Sequence, residues 1–487
     1  MDLLSRIDDW GRSLAERAVY RVADATLSWG SLIQQSDALA GAIARAGITP
    51  GSPIVVRGHK EREMIVGFLG CAKAGHAYVP IDNAAPEARV ARTIAAAKAE
   101  LVLTPETIPE MVSRGHASPP RTGDASSPHY VMFTSGSTGE PKGVVITRGC
   151  LDAFLGWTLE EQKFEAGKEV FLNQVIYSFD VSVMDTWSAL ATGGTVVSLT
   201  ANDTADFGRL FTRLRGSGIT TWVSTPALAQ LCLADRQFGS AMLPQLRRFM
   251  FCGDVLTPDV ASRLLDRFPS AEVWNTYGPT EATVATTSVR VDRAMLERYA
   301  QVPIGLAMPG TSVLIEDAHG NRVPGDTRGE IVIRGPNVSP GYLGRPDLTA
   351  RVFSERDQVR GYRTGDWGSV RDGLLFFHGR MDNQVKIAGH RIELGDVEVH
   401  LCTLPSVRAA AVIATERNGH PDALHAFVVA ADRGASTDLE LRAKLIADLA
   451  TLLPAYMLPR NFHFLDRFPL TANGKTDRRA LAATLTT

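Results

Sequence analysis

The sequence predicts an α/β protein. A large N-terminal domain of α/β sheet subdomains with a small β subdomain precedes a small α+β C-terminal domain. Three observations predict this. Short β-branched runs at 195–199, 220–224, 248–252 and 273–276 alternate with helical patterns, as in a largely parallel sheet. Beyond Gly310 the texture changes to short strands at 313–317, 329–334, 367–370 and 374–378, divided by Gly, Asp and Asn turns. From about Met381 a third pattern starts, with strands 408–414 and 424–430 on either side of a turn at 418–419.

Taken in order, apolar residues recur at helical spacing over 32–46. The stretch 68–79 passes from helix-like Ala/Gly/Cys sequence into a short strand ending at Pro80, and the Ala/Arg-rich 86–100 reads as a solvated surface helix. Near the C-terminus, residues 436–438 offer N-caps for an amphipathic helix. Its leucines 441, 445, 449 and 452 share one face, and Pro454 ends it. The expected domains are 1–380 and 381–487.

Lys+Arg number 51 against 53 Asp+Glu in 487 residues, so there is no basic excess to bind nucleic acid. The five cysteines, an odd number with no C-x-x-C pair, argue against a disulfide framework or zinc ribbon. No run approaches the ~18 apolar residues of a membrane span, and the N-terminus has no signal-peptide pattern. A cytoplasmic protein without membrane insertion is expected.

The most informative segment is Tyr130-Val-Met-Phe-Thr-Ser-Gly-Ser-Thr-Gly-Glu-Pro-Lys142. An apolar strand runs into Gly136 and Gly139, flanked by Thr134, Ser135, Ser137 and Thr138, with Lys142 beyond. Glycines let backbone N–H groups converge on an anion, and hydroxyls and a lysine add donors and charge. It is not a Walker A loop, because Lys142 lies between Pro141 and Gly143.

This segment resembles the phosphate loop of the adenylate-forming superfamily, which includes acyl-CoA synthetases, luciferases and nonribosomal peptide adenylation domains. Further matches follow in that family's order: Lys73 to Asp82, Asn275 to Glu281, Gly329–Glu330 with Gly341 to Leu343, Tyr362 to Asp366, Gly379 to Lys386, Gly389 to Leu394, and Asn473 to Lys475. The resemblance implies ATP and Mg²⁺ as cofactors, with 134–139 and Lys142 on the phosphates. Glu281 would hold the metal, and Thr280 would contact phosphate. Asn275 and Tyr277 would frame the adenine, and Thr276 would serve both the nucleotide site and the amino-acid pocket. Asp366 would accept the ribose hydroxyls with Arg380 beside it, and Lys475 would bridge substrate carboxylate and α-phosphate. Asp382 matches the family's hinge. Ala388 departs from it, standing where many adenylation domains carry arginine.

Within the family, Asp180 occupies the position that binds an amino acid's α-ammonium, which disfavours an acyl-CoA synthetase. Val181, Met184, Ser224, Met250, Cys252, Gly278, Val284 and Ala285 would line a small apolar pocket. The neighbourhoods of Asp180, Cys252 and Asn275 closely resemble D-alanine–D-alanyl carrier protein ligases, in which the Cys252 position favours the D-enantiomer; Val181 departs from the leucine expected there. The implied reaction activates a small amino acid, D-alanine first, and transfers it to the phosphopantetheine thiol of a carrier protein. Only twelve residues follow Lys475, so that carrier is expected as a separate molecule. The alternatives are a free-standing natural-product adenylation enzyme for glycine, L-alanine or another small amino acid, and a catalytically silent carrier-binding protein.

Overall fold

The computed structural model describes residues 2–115, 123–134, 140–381, 384–387, 389–417, 420–431, 437–469 and 476–485. The chain divides into two compact units. The first holds Met1–Asp82, Ala97–Met132 and Gly143–Met381; the second holds Asn83–Ala96, Phe133–Lys142 and Asp382–Thr487.

The first unit is the expected α/β assembly. Among the described residues a nine-stranded sheet has a parallel centre, in neighbour order Glu272–Tyr277, Arg248–Phe251, Thr221–Ser224, Val170–Asn173, Thr195–Ser198 and Ala18–Val22. Central strands such as Thr221–Ser224 and Arg248–Phe251 are buried at every residue, because both faces are covered and continuous apolar runs replace alternation. Met250 and Val223 belong to one core cluster, while Phe249, Phe251 and Trp222 belong to a second. The chain order reverses at Val170–Asn173. Its two neighbours are the next two strands in sequence, one on each side, and such a switch point opens a crevice at the strands' carboxyl ends. The stretch 174–180 leaves from there and enters the helix Val181–Thr192, whose residues are all buried.

A six-stranded sheet runs Gly341–Tyr342, Lys142–Thr147, Pro128–Thr134, Tyr78–Asp82, Ile54–Gly58 and Val102–Leu103. Here the strand expected to end at Pro80 continues to Asp82. The Ala77 carbonyl accepts from Ile54 N–H, so the alternate residue Pro80 turns its nitrogen toward the other neighbour. Pairing with that neighbour is confined to Tyr78↔Tyr130, and the missing N–H costs no ladder bond.

The small β subdomain is a five-stranded antiparallel sheet of Ser312–Glu316, Gly329–Arg334, Phe353–Arg356, Val359–Arg371 and Leu374–Arg380. The strand expected at 367–370 is the end of the thirteen-residue Val359–Arg371. Its first half escapes a period-two reading because the register shifts beside Asp366, next to Gly365 at φ 69°.

In the second unit, Val407–Arg417 and His420–Ala430 pair antiparallel, and Asn461–Phe464 joins in parallel. Helix Asp438–Ala450 begins with a capping box between Thr437 and Glu440 and buries Leu441, Leu445 and Leu449. The turn expected at 418–419 and the hinge residue Asp382 lie outside the described residues. Helix Glu87–Ala97 corrects the reading of a solvated surface helix. Val90 and Thr93 are buried, Arg89 lies 3.6 Å from Asp396, and Arg92 donates to the Leu452 carbonyl at 3.2 Å. The buried face is carried by Val90, Thr93 and Ala97, while Ala88, Ala91, Ala95 and Ala96 are exposed, so composition alone hides it.

Lys73, with no exposed side-chain surface, ties three helices of the first unit together. It donates to Asp37 at 2.5 Å and stands 3.0 Å from the nearly buried Asp8. Breaking a buried pair leaves an uncompensated charge, so Lys73→Ala is expected to lower the unfolding free energy by about 3–5 kcal/mol, read from urea titration by tryptophan fluorescence.

Candidate active site

Most of the residues expected to line an amino-acid pocket come together in one buried cluster beside the switch point. Asp180 stands at the N-cap position of Val181–Thr192, yet its backbone is helical (φ −65°, ψ −22°) and its side chain makes no cap bond. A capping aspartate has extended backbone and spends its carboxylate on the helix; Asp180 does neither. Its charge acts on Tyr130, whose fully buried phenol is pushed well above the ordinary tyrosine range, first by burial. The Tyr130 hydroxyl has no hydrogen-bond partner among the described residues. Sequence reasoning quoted Tyr130 only as the start of a motif.

Val181, Met184, Met250, Cys252, Val284 and Ala285 all belong to one buried cluster. The Cys252 thiol donates to the Val284 carbonyl at 3.4 Å. A Cβ added at Gly253 would lie 3.2 Å from the Val181 methyl, which brings the Cys252 end of its strand against the start of the helix. Gly278 sits where a Cβ would come within 2.6 Å of Ala285 Cα, so the close approach of these two backbones requires glycine. Ser224 is fully buried. Its hydroxyl accepts from the Trp222 indole at 2.8 Å and donates to the Thr225 carbonyl at 2.6 Å. Side chains alternate along a strand, so Ser224 shares Trp222's face, and Val223, paired with Met250, faces the pocket cluster.

The turn carrying Val284 is strained. Thr283 and Val284 both adopt left-handed backbone, with φ 55° and 67°, costly for β-branched residues. Asn337, fully buried, holds them there. Its amide donates to the Ala282 carbonyl (2.8 Å) and to Thr286 Oγ1 (2.9 Å), and its backbone carbonyl accepts from Thr283 Oγ1 (2.7 Å). The sequence reading passed over Asn337, although it lies a few residues before the quoted Gly341 to Leu343 motif.

The nucleotide residues divide by unit. In the first, strand Glu272–Tyr277 delivers Asn275, Thr276 and Tyr277, and a short 3₁₀ turn, Thr280–Ala282, carries Thr280 and Glu281. Asn275 donates to the Pro303 carbonyl at 2.8 Å, and Thr276 to the Phe251 carbonyl at 2.8 Å. Tyr277 donates to Asp366 Oδ2, and Arg380 Nη1 donates to Asp366 Oδ1 at 2.8 Å and to the Thr364 carbonyl at 2.7 Å. Burial and the Asp366 charge push the Tyr277 phenol well up, so it remains a protonated donor. Asp366 sits at a bulge in the strand Val359–Arg371. Glu281 is fully buried, and its carboxylate accepts from the Tyr342 hydroxyl at 2.8 Å. Tyr342 lies in a motif already quoted, without an assigned role. Strand pairing of Gly341 and Tyr342 with Val145 and Val144 fixes it in place.

In the second unit, Thr134 ends one strand and Lys142 begins the next. The buried Thr134 hydroxyl has no partner among the described residues. Ser135, Gly136, Ser137, Thr138, Gly139 and Lys475 lie outside the described residues. Among the described residues no cluster of three or more His, Cys, Asp or Glu side chains could hold a metal, and no helix is long and apolar enough to cross a membrane.

Comparison with known proteins identifies the frame on which these residues sit. The profile of the AMP-binding enzyme family matches residues 8–343, and that of the AMP-binding enzyme C-terminal domain matches 396–475. The chain belongs to the AMP-binding, adenylate-forming enzymes. It is an AMP-forming ligase of that superfamily, and ATP use follows from the membership. It is 40% identical over 506 residues to a D-alanine–D-alanyl carrier protein ligase of Bacillus mycoides (strain KBAB4), covering 100% of both chains. It is also 40% identical over 504 residues to one of Bacillus cereus (strain B4264), again covering 100% of both. Among solved structures, a Vibrio cholerae adenylation domain, AlmE, in complex with glycyl-adenosine-5'-phosphate aligns with a TM-score of 0.85 at 21% identity, covering 100% of this chain and 98% of that one. A nonribosomal peptide synthetase protein containing adenylation and PCP domains, bound to a vinylsulfonamide inhibitor, aligns with a TM-score of 0.83 at 28% identity, covering 99% and 84%.

A hydrogen bond to a buried charge is worth about 1.5–3 kcal/mol. Tyr342→Phe is therefore expected to lower kcat/KM for ATP–pyrophosphate exchange by roughly ten- to hundredfold with an unchanged circular dichroism spectrum. A rate within twofold of the unmodified enzyme would remove Tyr342 from the site.

Proposed function

We propose that this enzyme activates D-alanine with ATP and transfers it to the phosphopantetheine thiol of a separate carrier protein. The observation that carries the reading is Asp180: a carboxylate at a helix start that the helix does not use for capping, beside a small apolar cluster. The full-length similarity to D-alanine–D-alanyl carrier protein ligases supports D-alanine and the carrier.

In the first step a substrate carboxylate oxygen bonds to the α-phosphorus of ATP, and the bond from that phosphorus to pyrophosphate breaks. In the second, the thiol sulfur attacks the acyl carbon and AMP leaves. Asp180 holds the α-ammonium, because a buried cation requires a charged partner. The apolar side chains of Met184, Met250, Cys252 and Val284 suit a methyl side chain and offer no charge to a longer polar one. Asp366, steadied by Tyr277 and Arg380, presents a two-pronged acceptor to the ribose hydroxyls. Thr134 supplies a buried hydroxyl donor at the phosphate loop. Glu281 suits Mg²⁺, which takes one or two protein carboxylates alongside nucleotide phosphates; when bound, the ion offsets phosphate charge. Thr280, the 135–139 loop and Lys142 act on the phosphates. Lys475, carried by a C-terminal domain of 381–487 hinged at Asp382, bridges the two reacting anions. The five cysteines form no disulfide, which suits a cytoplasmic location.

The test is amino-acid-dependent exchange of labelled pyrophosphate into ATP. D-Alanine is expected to support the highest rate, above L-alanine, glycine, serine and 2-aminobutyrate. One methylene is worth about 1–3 kcal/mol, so glycine and 2-aminobutyrate should trail by roughly ten- to two-hundredfold. A preference for L-alanine or glycine would overturn the assignment. Asp180→Asn is expected to lose exchange by more than about a hundredfold. Lys475→Ala should abolish adenylation yet largely spare thiolation of supplied D-alanyl-adenylate; equal loss of both would refute its role.

A further inference from the structure

Lys60 follows the strand Ile54–Gly58 and is 1% exposed. Its ammonium donates to Asn173 Oδ1 at 2.7 Å and to the Val175 carbonyl at 2.6 Å, and it stands 4.2 Å from the centroid of the Tyr177 ring. All three partners lie in one short stretch, the link from the switch-point strand Val170–Asn173 to Asp180. Asn173 extends the grip in two directions. Its amide donates to Asp185 Oδ1 at 2.8 Å, within the helix that Asp180 precedes, and its Oδ1 also accepts from Ser198 at 2.6 Å. The Tyr20 hydroxyl closes the other side, donating to the Lys60 carbonyl at 2.8 Å and accepting from Tyr177 at 3.1 Å.

A buried ammonium is expensive, and an apolar side chain of the same length would fill the space without that cost. Burial lowers Lys60 to about 8, with Asp185 and Asp82 opposing the shift, so the group remains a cation near neutral pH. The interactions that keep it there converge on residues 173–177. Asp180 follows three residues after Tyr177 and opens the helix Val181–Thr192, so the way 173–177 is held bears directly on where its carboxylate lies.

We propose that Lys60 is a positioning residue for amino-acid recognition: by pinning 173–177 it sets where Asp180 meets the substrate ammonium. The proposal rests on the reading of Asp180 given above and adds the group that places it. Lys60 touches neither nucleotide nor substrate in this role, so its loss should fall on one substrate alone.

The test is steady-state pyrophosphate exchange with the full chain carrying Lys60→Met, which keeps length and apolar packing, and separately Tyr177→Leu, which removes the ring beside the ammonium together with its hydroxyl bond to Tyr20. Misplacement of a binding group by a fraction of an ångström to 1 Å costs up to about a hundredfold. Lys60→Met is expected to raise the amino-acid KM roughly ten- to hundredfold while the ATP KM stays within twofold. Tyr177→Leu should raise the amino-acid KM in the same direction by less. Equal shifts for both substrates, or an unchanged amino-acid KM, would overturn the proposal and make Lys60 a purely structural residue. Should Lys60→Met fail to fold, Tyr177→Leu decides by the same criterion. If the unmodified enzyme shows no amino-acid-dependent exchange, the proposed function itself fails and this inference falls with it. Exchange in the unmodified enzyme with an unmoved KM in the variants defeats the inference alone.

Discussion

A helix buried on every side has no polar face with which to find its register, and Val181–Thr192 is such a helix. Apolar packing alone would let it slide or rotate at little cost. The polar groups at its first turns remove that freedom. Asp185 is fully buried and held by Asn173 and Thr186, and burial pushes its carboxyl up to about 7 while the nearby Lys60 opposes the rise. A polar network in a low-dielectric interior tolerates only one arrangement, since every alternative strands a charge or a donor. Asp180, Val181 and Met184 inherit their positions from that constraint, and so does the pocket they begin.

The opposite wall of the pocket is set by a different means. Thr283 and Val284 occupy left-handed backbone that β-branched residues avoid, and Asn337 supplies the bonds that keep them there. Strain of about 1–3 kcal/mol per such residue persists only where its surroundings over-determine it. Gly278, pressed against Ala285, completes the wall. One side of the pocket is thus held by a buried ionic network and the other by a strained turn, and neither depends on an exposed loop.

The two buried nucleotide-site carboxylates of the first unit share a device. Glu281 accepts from the Tyr342 phenol and Asp366 from the Tyr277 phenol. A phenol orients a carboxylate without neutralising it. On the proposed function this orients the Glu281 carboxylate for a cation and, with Arg380 as a further partner, the two Asp366 oxygens for hydroxyl donors. Burial raises the Tyr277 phenol, so this donor stays protonated across the physiological range.

The sequence by itself determined the fold class, the family, and the chain positions of nearly every candidate group, because those features are carried by local signals: β-branched runs between helices, a Gly/Ser loop closed by a lysine, and ordered short motifs. Only the tertiary structure decided which way side chains turn and what holds them. Ser224 was legible as a strand-end residue, but its face follows from pairing with Phe251, a contact between residues 27 apart. The bulge that aims Asp366 follows from the register of its pairing with Leu374–Arg380, which the sequence does not show. Pro80 read as a strand end because the departure of its second neighbour is invisible locally. Lys60 and Asn337 were given no role by any motif, and Tyr342 lies in a quoted motif that assigned it none. Their importance comes from partners 55 to 115 residues distant, at Ala282, Glu281 and Val175. Hydrogen bonds of that kind are formed by the fold and leave no periodicity in the sequence that makes it.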